Sequence, residues 1–281
     1  MSPFSLDRAA ARRAFSRAAG TYDQAAVLHR EVAARLMERL ECIRLDPRRV
    51  LDAGCGTGAA LPALAGRYRR AQVLGLDFAL PMLAAARRRR RWRRSFRLLG
   101  GDLHALPLAA GTVDLVFSNL ALQWCDPAAV FAEFRRLLAP GGLLMFTTFG
   151  PDTLKELRAA WAAVDPAPRV HEFEDMHNLG DMLLAAGFGD PVMDVEYFTL
   201  TYRRLEDLVA DLRGLGARNA AAARPRGLTG RGRLAALRAA CEAYRDADGR
   251  LAVTYEVVYG HAWAGPPAGG GVAVAPPVRG G

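Results

Sequence analysis

Between residues 49 and 164 short apolar runs alternate with helical segments in four successive pairs, an order that few folds accommodate. The pairs are 50–53 with 59–64, 73–76 with 81–91, 113–117 with 128–138, and 143–147 with 154–164; residues 96–99 add a short strand. Strands alternating with helices predict βαβ units, in which a parallel sheet is covered on both faces. Two later strand-like runs, 192–201 and the β-branched and aromatic 251–263, bring the count to seven. The expectation is an α/β fold with a doubly wound, mostly parallel seven-stranded sheet.

The flanks read differently. Residues 1–45 are helical, with Val27, Val32, Leu36 and Leu40 at helical spacing, and Asp46-Pro47 ends the stretch. A helix over 175–186 is closed by Gly187. Between the last two strands lie about 50 residues, too many for a turn, that predict helices at 205–213 and 233–244 around a Gly- and Arg-rich loop. We therefore expect an N-terminal helical cap (1–45), one domain (46–263) carrying a helical lid at about 203–248, and a disordered Pro/Gly tail (264–281).

Composition excludes several classes. With 281 residues, 51% of them hydrophobic, the chain is neither collagen-like nor wholly disordered. No apolar run approaches the roughly 18 residues of a membrane span, and residues 1–15 lack the apolar core of a secretory signal. Cys42, Cys55, Cys125 and Cys241 lie far apart without CxxC spacing, so neither a zinc site nor a disulfide framework is expected, and a reducing cytoplasm is. The five histidines (29, 104, 171, 177 and 261) show no metal-ligand spacing. The net charge of +9 predicts attraction to acidic partners, but Lys155 is the only lysine among 38 basic residues, a skew that points to codon bias as much as to a polyanion.

The chemistry concentrates at strand ends. Val50 to Gly58 reads VLDAGCGTG: an apolar strand, then Asp52, then Gly54, Gly56 and Gly58 alternating before a helix. Glycines let backbone turn tightly and approach a ligand. The GxGxG spacing, without Gly-Lys-Ser/Thr, argues against a dinucleotide or a triphosphate. The second strand ends in Asp77, suited to accepting hydrogen bonds from ribose hydroxyls; Gly101-Asp102-Leu103 follows the third and Ser118-Asn119-Leu120 the fourth. Three carboxylates thus face the crevice of a doubly wound sheet.

In this order, over residues 48–150, these motifs resemble those of class I S-adenosylmethionine-dependent methyltransferases, whose sheet is Rossmann-like. The resemblance implies that Gly54, Gly56 and Gly58 hold the amino-acid part of the cofactor beside Asp52. It also implies that Asp77 holds the ribose, that Asp102 and Leu103 contact adenine, and that Phe78 and Met82 flank the nucleoside. Cys55 is a small filler in the loop, Asn119 lies at the fourth strand's tip, and FSRAAGTYDQAA (15–26) places Tyr22 near the cofactor's carboxylate.

SNLALQWCDP (118–127), FTTFGPDTLKELRAAW (146–161), LRGLGARN (212–219) and VTYEVVYGHAW (253–263) narrow the choice further. They are similar to the malonyl-acyl-carrier-protein O-methyltransferases of biotin synthesis, over residues 12–263. The arginine run 87–94 and the Pro/Gly tail depart from that pattern. The resemblance implies methylation of a free malonyl carboxylate on acyl carrier protein or coenzyme A. A carboxylate is already ionised at neutral pH, so no acid–base catalytic residue, and no metal, is expected. Arg213, Arg218 and Arg158 are candidates to bind the carboxylate through a planar fork, and Trp124 to line the acyl pocket. Trans-aconitate-type carboxyl methylation and quinone-precursor methylation share the cofactor core. A base-methylating enzyme would carry an Asn/Asp-Pro-Pro-Tyr/Phe motif where SNLALQW stands, so neither nucleic acid nor membrane is expected as a partner.

Overall fold

The computed structural model describes residues 6–90, 96–217, 219–220, 227 and 230–265. The N-terminal helical stretch is three helices, α1 (Arg8–Ala18), α2 (Tyr22–Ala25) and α3 (Val27–Glu41). Asp7 caps α1 by accepting the Ala10 amide at 2.9 Å. The alternating region then gives β1 (Arg49–Ala53), α4 (Leu61–Arg67), β2 (Gln72–Asp77), α5 (Leu80–Arg87), β3 (Arg97–Gly100), β4 (Val113–Asn119), α6 (Pro127–Leu137), β5 (Leu138–Phe149) and α7 (Lys155–Ala162). The remainder is α8 (Met176–Ala185), β6 (Phe188–Tyr202), α9 (Leu205–Gly214), α10 (Arg231–Cys241) and β7 (Leu251–Ala264).

The seven strands form one sheet in the order β3-β2-β1-β4-β5-β7-β6, parallel except for β7, which runs antiparallel to both β5 and β6. The winding reverses between β1 and β4, and a crevice opens at the carboxyl ends of strands at such a switch point. Leu28, Val32, Leu36 and Leu40 of α3 pack into one core with Leu115, Phe117 and Met145. On the opposite face Phe131 and Phe134 of α6 and Leu179 and Leu183 of α8 cover Val116, Leu144 and Phe146. Arg35 and Arg39, on the polar side of α3, reach Glu196 of β6, each at 2.6 Å, and Arg39 lies over the Tyr259 ring at 3.8 Å. Part of the chain's large positive charge is therefore spent internally.

β6 begins four residues earlier than its expected start, because a register shift between Gly189 and Val192 carries Pro191 outside the ladder. Asp190 adopts φ 49° within it. Residues 91–94 of the arginine run lie outside the described residues, as do 266–281 of the tail. Among the described residues no helix is long and apolar enough to cross a membrane.

Gly260 of β7 sits opposite Phe146 of β5, and a Cβ there would come within 2.3 Å of the Phe146 ring. Because Phe146 is wholly enclosed, the ring has nowhere to go. Gly260→Ala is expected to cost about 1–3 kcal/mol, the usual penalty of overpacking. Urea unfolding should show this as a lower midpoint at unchanged slope.

Candidate active site

β1 delivers the chain into the glycine loop at the crevice. The amides of Gly54 and Cys55 both donate to the Leu76 carbonyl of β2, at 2.8 and 2.9 Å. A Cβ on Gly54 (φ +80°) would lie 2.5 Å from the Ala121 Cβ, and one on Gly58 (φ +75°) 2.8 Å from that of Ala86. These two glycines are thus fixed by the protein's own packing. A Cβ on Gly56 would meet only the Tyr22 ring, at 4.0 Å, so the loop presents bare backbone to the crevice there.

Asp77, ending β2, accepts the Gly56 amide at 2.9 Å and the Ala79 amide at 2.8 Å, and so locks the loop to the neighbouring strand. Burial pushes its carboxyl up to about 6, with the amides of Ala79, Gly56 and Phe78 pulling the other way. Asp52 is 3% exposed, and its carboxyl is pushed up to about 8 by burial and then by the charge of Asp77. Among the described residues no donor meets the Asp52 carboxylate and no basic side chain offsets the pair. A crevice holding two uncompensated acids beside open backbone fits a cationic ligand with hydroxyl groups.

Two cavities meet at this crevice. The first, of about 670 Å³, is lined by Gly54, Gly56, Asp77, Phe78, Met82, Leu103 and Asn119. The second, of about 1280 Å³, lies between α3, the segment 169–173 and β7 and is largely apolar, with Leu28, Phe149, Leu157, Phe173 and Tyr255 in its wall. Phe15, Tyr22, Leu120 and Trp124 line both. Leu120 holds a left-handed conformation (φ 48°), fixed by donation of its amide to the carbonyl (3.1 Å) and hydroxyl (3.0 Å) of Thr147. Backbone strain of this kind persists only where the surroundings hold it, and it collects at functional sites.

Tyr22, Gly54, Gly56, Asp77, Phe78, Met82, Asp102, Leu103, Asn119 and Trp124 all line the first cavity. Asp52 and Cys55 line a smaller adjoining recess with Tyr22 and His29. Gly58 stands behind the loop against α5. Asp102 is already engaged, by Arg8 of α1 and by His104 Nδ1 at 2.9 Å. Asn119 donates to the His29 carbonyl at 3.1 Å and accepts from the Thr147 hydroxyl at 2.9 Å, so it ties α3 to the strand tips.

The arginine candidates fare differently. Arg213, in the last turn of α9, is exposed and lines neither cavity. Arg158 donates to the carbonyls of Pro151 and Thr153, each at 2.9 Å, and braces the loop after β5. Arg218 lies outside the described residues. The arginine that does line the second cavity, Arg169, comes from an irregular segment without periodicity to mark it. Phe15 and Arg8, seven residues apart on one face of α1, also line the first cavity.

The strand order, the glycine loop after β1 and the acid closing β2 define a class I S-adenosylmethionine-dependent methyltransferase. Residues 51–146 match the family model described as a methyltransferase domain. A malonyl-[acyl-carrier protein] O-methyltransferase of Halorhodospira halophila is 54% identical over 261 residues, covering 92% of this chain and 88% of that protein. One of Methylovorus sp. is 52% identical over 267 residues, covering 92% and 89%. The YcgJ protein of Bacillus subtilis shares the fold at 13% identity, with a TM-score of 0.58 over 83% of this chain and 98% of its own. The chain belongs to the malonyl-[acyl-carrier protein] O-methyltransferase family. It is an enzyme whose methyl donor is S-adenosylmethionine.

Asp52 gives this site a pH signature. Its carboxyl lies at about 8 in the folded chain against 3.8 for an ordinary aspartate, so between those values the native state holds a proton that the unfolded state has released. The ligand-free fold therefore loses stability as pH rises through that window. Asp52→Asn is expected to melt higher than the wild type at pH 8 without cofactor, and the gap should close at about pH 4. The same variant should bind S-adenosylmethionine about 10-fold or more weakly, having lost a charged contact. Thermal melts across pH, paired with calorimetry, check both halves.

Proposed function

We propose that the enzyme esterifies the free carboxylate of a malonyl group carried as a thioester on acyl carrier protein, the activity that its relatives' names state. This is the step that masks the carboxylate for biotin synthesis. The observation that carries the reading is the paired cavity. A chamber suited to a nucleoside and a larger apolar chamber share a wall of Phe15, Tyr22, Leu120 and Trp124, where donor and acceptor can meet away from water.

The cofactor's places follow from the side chains. Asp77 is the ribose acceptor, with one carboxylate edge held by Gly56 and Ala79. Phe78, Met82 and Leu103 would enclose the nucleoside, and Asp102, held by Arg8 and His104, would face its base. Gly54–Gly56, Asp52 and Tyr22 would hold the amino-acid end, in the recess that they line together. Bound there, S-adenosylmethionine supplies an electrophilic methyl group, which a carboxylate oxygen takes in a single displacement that leaves a thioether. The protein supplies no base for this, because the acceptor is already ionised. Its contribution is to orient the acceptor and to exclude water, which favours a reaction that annihilates charge.

The elements outside the sheet support a cover over both chambers. The Thr21 hydroxyl donates to the Gly214 carbonyl at 3.2 Å, and the Asp7 amide donates to the Ala220 carbonyl at 2.8 Å. Asn219 donates to the Pro168 carbonyl at 2.9 Å. The N-terminal helices, the end of α9 and residues 219–220 are thus tied to one another above the chambers. Arg89 belongs to the same frame, with its side chain on Asp23 (2.5 Å) and on the Thr57 carbonyl (2.9 Å), so this member of the arginine run is structural.

Mass spectrometry of malonyl-acyl-carrier protein incubated with S-adenosylmethionine and the enzyme should show a gain of one methylene mass on the acyl group, removable by esterase. Asp77→Asn should slow that gain roughly 10- to 100-fold at cofactor concentrations below the wild-type Kd, the worth of a charged hydrogen-bond acceptor, and excess cofactor should recover part of it. Methylation of free diacids or quinone precursors, with none on the malonyl thioester, would overturn the assignment.

A further inference from the structure

The second cavity is apolar but carries one guanidinium. Arg169 is the only arginine in its wall among the described residues, and its side chain is 11% exposed. One of its amino groups is bonded to Asp165 and its plane lies over the Trp161 ring at 5.0 Å, while its Nε is buried without a partner. Asp165 does not neutralise it fully. That carboxylate also accepts the Ala167 amide at 3.0 Å and lies 3.7 Å from Arg233, so two guanidiniums share one negative charge.

Two residues along the chain, His171 lines the same cavity. Its ring stands 5.2 Å from that of Trp124, the residue common to both chambers, and 4.6 Å from that of Phe173. His171 Nε2 is likewise buried without a partner. Burial, and then the charge of Arg158, pull its imidazole down to about 4, so it enters the site neutral and can donate one N–H. The cavity's acidic residue, Asp211, is hydrogen-bonded by the Tyr202 hydroxyl. A guanidinium that shares its carboxylate partner with a second arginine, and two unmet buried nitrogen groups, in one apolar wall suit an anionic acceptor.

We propose that Arg169 and His171 form the receptor for the acceptor's free carboxylate, with Asp165 and Trp161 as positioning residues that hold the guanidinium planar against the chamber wall. This rests on the malonyl thioester reading above and names the residues that select for it. An acetyl thioester offers the pair nothing to bind. The methyl ester product has lost the charge that drew the substrate in, so the receptor that gathers substrate releases product.

The test is steady-state kinetics on malonyl-acyl-carrier protein with the wild type, Arg169→Met and Arg169→Lys. Inhibition by acetyl-acyl-carrier protein and calorimetric binding of S-adenosylhomocysteine are measured alongside. Arg169→Met should raise KM for the malonyl substrate at least about 10-fold, the loss of a charge-assisted bond. Acetyl inhibition and S-adenosylhomocysteine affinity should stay within about 2-fold, and Arg169→Lys should recover part of the loss. An active Arg169→Met with wild-type KM overturns the receptor alone. So does a parallel loss of acetyl and cofactor binding, which marks a structural role. A wild-type chain that leaves the malonyl group unmethylated overturns the substrate reading and the receptor with it.

Discussion

Burying Asp52 beside Asp77 works against the fold, because two carboxyl groups in a water-poor crevice repel each other and neither has a basic side chain to answer it. The arrangement nonetheless organises the whole crevice. Asp77 fixes the loop from β1 through the Gly56 amide, and Asp52 ends the apolar part of β1 beneath it. A ligand with positive charge at one end and vicinal hydroxyls further along answers both acids at once. With the cofactor placed as proposed above, its binding relieves that state, and stability is exchanged for affinity.

The second constraint is dryness at the junction of the two chambers. Phe15 and Tyr22 come from the N-terminal helices, and Leu120 and Trp124 from the segment that follows β4. Neither group lines the junction alone, so the N-terminal helices, outside the sheet, complete the wall of both chambers. Thr147 holds both Asn119 and the strained Leu120, so the position of that wall is set from within β5. Positive charge is handled in the same economical way. Arg35, Arg39, Arg89 and Arg158 are each tied to acids or carbonyls of the protein itself.

Much of this was legible in the residues. The four strand–helix pairs, the glycine loop and the acid ending the second strand are local patterns, and the sheet order follows from them through general topology. The pairing of distant polar groups was not legible. Asp102 reads as a free acceptor, yet Arg8 from the first helix occupies it, 94 residues away in sequence. Arg213 reads as a binding residue because its neighbours form a motif, yet its helix turns it to solvent. His171 can be placed near the substrate entrance from its position before a helix, but Arg169 stands in a segment with neither helical nor strand period, where only tertiary placement reveals their common wall. The long β6 escaped because Pro191 imitates a strand boundary, and the register shift beside it absorbs the proline.

On the proposed placement, a cationic methyl donor settles against the buried, largely protonated Asp52. Calorimetric titration of the chain with S-adenosylmethionine at pH 7, repeated in buffers of different ionisation enthalpy, measures this directly. With the Asp52 carboxyl near 8, binding of a cation should drive it to ionise, and the buffer-dependent heat should report net proton release approaching one per site. No binding heat, or binding without proton release, would contradict the account.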